Sequence, residues 1–189
     1  MGATTTALTS EELSARLEEE GFERWVINGE LRERKPMTLR SPGHGGETAN
    51  LTRILGNWCH ACPTPRPKVF NGDIYFRLQA EPPTNVGVDI AVATAAQAAS
   101  VTPNLRFIDG PPILAVEVLS ANDVHEDVHE KLESYLDAGT PVVWIVDPFD
   151  STVTVYRRGQ EPVMFNRTQE LAGDPDLPGF RCPVAEIFE

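Results

Sequence analysis

The chain has 189 residues, 41% hydrophobic and 23% charged, with a formal net charge of −12. That length suits one well-buried domain over 1–189 and is short for two, and no run approaches the ~20 apolar residues needed to span a bilayer. Three cysteines (Cys59, Cys62 and Cys182) make an odd count, which argues against a disulfide framework and for a reducing cytoplasm.

From the N-terminus, residues 1–6 have neither the basic start nor the apolar core of a signal peptide, and Gly2 with Thr6 matches a myristoylation pattern too short to be specific. Thr9-Ser10-Glu11-Glu12 is a capping box that predicts a helix to about Glu20. Segments 24–27 and 31–34 flank Asn28-Gly29, a two-residue hairpin signal because both turn positions need positive φ. Leu51, Ile54, Leu55 and Trp58 recur at helical spacing and predict a helix over 44–60, which the proline-rich 62–67 must break. Segment 68–78 holds a second Asn-Gly, Asn71-Gly72, read as a turn ahead of alternating Ile74, Phe76 and Leu78.

A Pro82-Pro83 loop leads into the strand 86–92, and the alanine-rich 94–100 with 102–110 reads as a loop holding one helical turn. Residues 113–119 read as a strand and 120–123 as a helix entry. Val124, Val128, Leu132 and Leu136 then form a period-four apolar stripe on a helix ending at Ala138-Gly139. Pro141 precedes a strand over 142–146, Asp150-Ser151 turns into 153–156, and the tail around 177–180 reads as irregular. The order predicts an α/β or α+β sheet whose central strands are apolar on both faces.

Two carboxylates break that pattern. Asp89 lies in Val86-Gly87-Val88-Asp89-Ile90-Ala91-Val92, and Glu117 in Ile113-Leu114-Ala115-Val116-Glu117-Val118-Leu119. An ionised carboxylate in an apolar strand is costly to desolvate unless a metal or a partner compensates it. Two on neighbouring strands, with Lys131 on the next helix, make the set that a divalent-metal phosphodiesterase needs. Carboxylates hold Mg²⁺ at about 2.0–2.1 Å with water and phosphate completing the shell, and a lysine stabilises the pentacovalent phosphate. The plainer reading of Asp89 is a strand-end salt bridge. That of Lys131 is an i,i+4 ion pair, since Asp127 and Tyr135 lie four residues to either side on the same helix face. Glu117, apolar on both sides, is hardest to explain that way.

Other candidates carry less. His44, near a helix N-terminus, is a phosphate contact or simply a cap. His125 and His129 have zinc-helix spacing without a third ligand, and Cys59-His60-Ala61-Cys62 lacks a second pair. Trp144 reads as core. Residues 1–80 are neutral overall, with 10 basic and 10 acidic residues, so 81–189 hold the entire −12. Within 31–80, 8 basic against 3 acidic residues leave a local +5. Arg32, Arg34 and Arg53 are candidate phosphate contacts there, against the plainer reading of a solvated face.

Taken together, Val88-Asp89-Ile90-Ala91-Val92, the stretch 112–120, Asp127, Lys131, Tyr135, Gly139 and Val143-Trp144-Ile145-Val146-Asp147-Pro148 resemble the Uma family of predicted restriction endonucleases, within the PD-(D/E)XK nuclease superfamily. The resemblance runs near full length, taking in Asn28-Gly29-Glu30-Leu31, Ser41-Pro42-Gly43-His44 and Leu177-Pro178-Gly179-Phe180. Its specific parts are the Glu-Val-Leu-Ser and Trp-Ile-Val-Asp-Pro blocks.

The resemblance implies a restriction-endonuclease-like mixed central sheet flanked by helices, a Mg²⁺- or Mn²⁺-dependent endonuclease acting on DNA, and a homodimer. It implies Asp89 and Glu117 as metal ligands with the Val118 carbonyl as a third, Lys131 as the catalytic lysine, and Glu30, the better match, or Glu47 as an additional acid. Two positions depart from the superfamily pattern: Val88 replaces the proline before the aspartate, and Leu119 replaces the strand lysine, so Lys131 must supply that charge. The alternative is a non-catalytic nucleic-acid- or protein-binding module retaining the nuclease fold. The acidic second half and Leu119 favour it, and the joint presence of Asp89, Glu117 and Lys131 opposes it.

Overall fold

The computed structural model describes residues 10–17, 23–34, 42–121 and 123–189. Gly2, Thr6, Thr9, Glu20, Ser41 and Asn122, which carried expectations above, lie outside that set, as does the Arg34 side chain. Among the described residues no helix is long and apolar enough to cross a membrane.

Helix α1 (Ser10–Leu17) precedes the hairpin of β1 (Glu23–Ile27) and β2 (Glu30–Arg34). Asn28 and Gly29 adopt φ of 51° and 80° at its turn, as a two-residue hairpin requires. Helix α2 (Pro42–Ala61) starts with proline in its first turn, where no N–H is needed. Strands β3 (Lys68–Gln79) and β4 (Thr84–Ala93) form a long antiparallel pair. The expected turn at Asn71-Gly72 is a bulge instead. β3 runs through it with a register slip between Asn71 and Ile74, and Gly72 takes φ 94°. Because β4 offers an unbroken partner, the one extra residue is absorbed within the ladder rather than reversing the chain.

Helix α3 (Ala95–Ser100) opens on a capping box between Thr94 and Gln97, and β5 (Ile108–Asp109) adds parallel to β3. Strand β6 (Leu114–Val118) leads to α4 (His125–Ala138), closed by Gly139 at φ 98°. The helix starts later than the entry expected at 120–123: Asp123 Oδ2 accepts the Ser120 N–H at 2.6 Å, and Val124 precedes the helix without a side-chain cap. Strands β7 (Val142–Asp147), β8 (Thr152–Tyr156) and β9 (Val163–Asn166) follow, then β10 (Glu170–Ala172), β11 (Arg181–Pro183) and a 3₁₀ turn, Val184–Ile187.

Among the described residues, nine strands make one mixed sheet in the order β2-β1-β4-β6-β7-β8-β9, with β3 on β4 and β5 on β3. Helix α4 covers one face through Leu132, Tyr135 and Leu136. On the other, Leu51, Leu55 and Cys59 of α2 pack with Trp144 and with Leu171, Leu177, Phe180, Cys182, Val184 and Ile187. The tail around 177–180 is irregular, as expected, and it is also core. Its apolar residues follow no helical or strand period, so they gave no signal until the sheet supplied a surface to bury them.

Topology creates one opening. Strand β3 occupies one edge of β4 along its length, so β1 and β6 must share the other. β1 meets it at Asn85, and β6 from Ile90 to Val92. Residues 86–89 of that edge lie between the two partners.

Candidate active site

Asp89 stands where the β4–β6 ladder ends, one residue beyond the last registered pair, Ile90 opposite Val116. Glu117 is the next residue on β6. At this point a side chain replaces the backbone partner: Asp89 Oδ2 accepts the Val118 N–H at 2.8 Å. The Leu119 N–H goes to Val146 on β7 at 2.9 Å. By strand alternation, then, both the N–H and the C=O of Val118 face β4 and the opening.

Glu117 is only 8% exposed, and α4 supplies its partners. The Tyr135 hydroxyl donates to Oε1 at 2.7 Å and lies 3.2 Å from the Gly87 carbonyl, on the open edge of β4. Lys131, one turn earlier, places Nζ 3.7 Å from Oε2 and 5.4 Å from the centroid of the Trp25 ring on β1. The i,i+4 spacing seen in the sequence thus brings Lys131 and Tyr135 onto one carboxylate. Asp127 lies half-buried in the first turn of the same helix, away from these bonds. Trp25 was not anticipated. Its only sequence signal was an apolar position in a hairpin strand.

Helix α2 reaches Asp89 from the opposite face. His44, buried in its first turn, sets Nε2 3.6 Å from Asp89 Oδ1. Burial disfavours the Asp89 charge, but hydrogen bonding from His44 and from the Val118 amide, with attraction to His44 and Lys131, holds its carboxyl below the usual carboxylate range. Burial, then the charges of Glu117 and Asp89, push the Tyr135 phenol well above its ordinary value, so it remains a donor.

Of the two further acids, Glu30 is 72% exposed and bonded to Arg32 at 2.8 Å. Glu47 lies one turn after His44 on α2, and its Oε2 is buried without a hydrogen-bond partner. The candidate phosphate contacts are dispersed. Arg32 is held by Glu130 through Nε and Nη2, with a 2.8 Å contact to Oε1, as well as by Glu30, while Arg53 is exposed on α2. Among the described residues no three His, Cys, Asp or Glu side chains gather tightly enough to hold a metal by themselves. Cys59, Cys62 and Cys182 are free thiols, and burial pushes Cys59 and Cys182 up to about 11.

A mixed sheet with helices on both faces, and carboxylates on two adjacent central strands where their ladder opens, is the restriction-endonuclease-like fold. A solved structure titled a "putative nuclease belonging to DUF820", from Anabaena variabilis, superposes with a TM-score of 0.77 at 18% identity, covering 96% of this chain and 97% of that one. The family model Uma2, described as "Putative restriction endonuclease", matches residues 10–185. The chain belongs to the Uma2 family. No curated protein matches it.

Proposed function

We propose that the protein, acting as one domain over 1–189, is a Mg²⁺- or Mn²⁺-dependent endonuclease that hydrolyses DNA phosphodiester bonds, with Asp89, Glu117 and Lys131 as its catalytic set. One observation carries the reading: these three charges, from two strands and a helix, meet at the single stretch of the β4 edge that neither β1 nor β6 covers. A salt bridge built only for stability has no need of an opened ladder.

The donor set fits a hard divalent cation. Asp89, Glu117 and the Val118 carbonyl are oxygen donors facing one opening. Mg²⁺ ordinarily takes one or two carboxylates and completes its shell with water and phosphate, so a third acidic side chain is not required. Bound there, the cation supplies charge stabilisation at the phosphoryl group and acidifies a water.

The chain's own residues do the rest. Tyr135 fixes the Glu117 carboxylate and keeps it a pure acceptor. Lys131 holds a positive charge 3.7 Å from Glu117, where it stabilises negative charge developing on phosphate and orients the attacking water. His44 steadies Asp89 and, at the α2 N-terminus, favours an approaching phosphate. Glu47, with an oxygen buried and unpartnered, suits the additional acid better than Glu30, whose charge is spent on Arg32. Arg53 is the better phosphate contact, since Arg32 is committed to Glu130. We take the working form to be a homodimer, following the family resemblance.

The test is nicking of supercoiled plasmid by purified protein with Mg²⁺ or Mn²⁺, beside Asp89→Ala and Glu117→Gln, with calorimetry of metal binding. Metal-dependent nicking lost in both variants is expected. DNA binding without cleavage under any divalent cation would instead support a non-catalytic binding module, the reading that Leu119 in place of the strand lysine favours.

A further inference from the structure

Taking Lys131 as the catalytic lysine of the reaction above, we propose that the β1–β2 hairpin is a clamp on α4. Trp25 and Arg32 are its two positioning residues, and together they hold the Lys131 ammonium at Glu117. Trp25 on β1 and Arg32 on β2 are registered directly opposite each other, and cross-strand partners project to one face of a sheet. That face is the one α4 covers, since Trp25 packs in the same core cluster as Leu132, Tyr135 and Leu136.

There the two side chains meet consecutive residues of the helix. Arg32 holds Glu130 through Nε at 3.1 Å and 3.2 Å and through Nη2 at 2.8 Å. The Trp25 ring centroid lies 5.4 Å from Lys131 Nζ, within reach of a cation–π contact.

Lys131 needs such a hold. Its ammonium ends a flexible four-carbon stem. The 3.7 Å contact to Glu117 Oε2 is longer than a hydrogen bond, so it attracts the charge without fixing its direction. A lysine at position 119 would stand just beyond β6, on the same side of the chain as Glu117. Leu119 is there instead, and the charge arrives from a helix lying over the sheet. The rotation of α4 about its axis then decides where the ammonium falls. The guanidinium fork on Glu130 fixes that rotation one residue away, and the indole fixes the side chain.

The choice of tryptophan points the same way. Trp25 is 2% exposed, and its Nε1 is buried with no hydrogen-bond partner among the described residues, an arrangement that is destabilising. Phenylalanine or leucine would fill an apolar position without that N–H, so packing alone does not select an indole. Its face does, being the best of the aromatic rings for a cation. The sheet anchors this hairpin lightly, β1 being registered with β4 at the pair of Val26 and Asn85, so its grip on α4 sets how the two lie together.

Lysine labelled with carbon-13 at Cε reports the contact by NMR without metal or DNA. The chain has three lysines, Lys35, Lys68 and Lys131. Lys131→Met assigns the signal, which is necessary because Lys68 also lies over a ring, that of Phe70. The Lys131 ε-protons should sit upfield in wild type, keep most of that ring-current shift in Trp25→Phe, and lose it in Trp25→Leu. Arg32→Glu should move the signal as well, and Arg32→Glu/Glu130→Arg should bring it back by re-forming the pair with its signs exchanged. In cleavage assays Trp25→Leu and Arg32→Glu should each lower kcat about tenfold or more with KM for DNA unchanged. Trp25→Phe and the charge swap should stay near wild type.

A Lys131 signal indifferent to these changes in folded variants would overturn the clamp. So would a raised KM in Arg32→Glu that the charge swap fails to restore, since Arg32 would then be a phosphate contact. The Arg32 variants leave the core untouched, so they decide the matter even where Trp25→Leu does not fold. A wild type that never cleaves DNA, but whose Lys131 signal responds as stated, would remove the nuclease reading and leave the clamp standing.

Discussion

The Tyr135 hydroxyl lies 2.7 Å from Glu117 Oε1, deep under the sheet, while Lys131 reaches Oε2 of the same carboxylate from one helical turn away at 3.7 Å. Helix α4 thus presents one neutral donor and one cation to a single buried acid. The neutral bond is the structural half and the cation the exchangeable half, and the two separate by substitution.

Tyr135→Phe keeps the ring packing and removes the donor, leaving a buried carboxylate oxygen without its bond. We expect a loss of about 1–3 kcal/mol in urea-unfolding free energy. A variant as stable as wild type would show that this hydroxyl contributes nothing to Glu117.

Lys131→Met removes the positive charge 3.7 Å from Glu117 Oε2, which on the proposed reading would compete with a divalent cation for that carboxylate. Calorimetry should show Mg²⁺ or Mn²⁺ bound at least as tightly as in wild type, while cleavage falls by about 10²-fold or more, the loss typical of removing one transition-state donor. Weaker metal binding would mean that Lys131 orders the carboxylates rather than assisting the chemistry.

Glu47 presents a buried carboxylate oxygen without a bond, an arrangement that costs stability in the metal-free protein. Glu47→Gln should therefore melt at the same or a higher temperature, yet cleave more slowly and bind metal more weakly. A destabilised variant with unchanged activity would assign Glu47 to packing alone.

The depressed Asp89 carboxyl has a pH consequence. Because the folded state favours its ionised form, it contributes stability above the unfolded carboxyl value of about 3.9 and loses it as pH falls through the lower folded value. Asp89→Asn cannot titrate there, so unfolding free energy followed down through pH 4 should decline less steeply than in wild type. Parallel acid limbs would indicate that Asp89 is not held in its charged form.

Local chemistry alone made several features legible. Asn28-Gly29 specified a hairpin because few residue pairs accept two positive φ angles. Asp89 and Glu117 stood out because apolar strands do not ordinarily carry charge, and the four-residue step from Lys131 to Tyr135 placed both on one face of a helix. The tertiary structure decided what depends on partners distant in the chain. Asn71-Gly72 became a bulge because β4 paired straight through it. The tail residues from Leu171 to Ile187 became core because the sheet and α2 left a face for them. Arg32 was drawn out of the basic segment by Glu130, 98 positions away, and Glu47 rather than Glu30 was left with an unbonded buried oxygen. The opening at residues 86–89 likewise exists only because β1 and β6 compete for one edge of β4. Backbone preference and hydrophobic period act over a few residues and can be read along the chain, whereas register, edge competition and ion-pair partners arise only when distant segments meet.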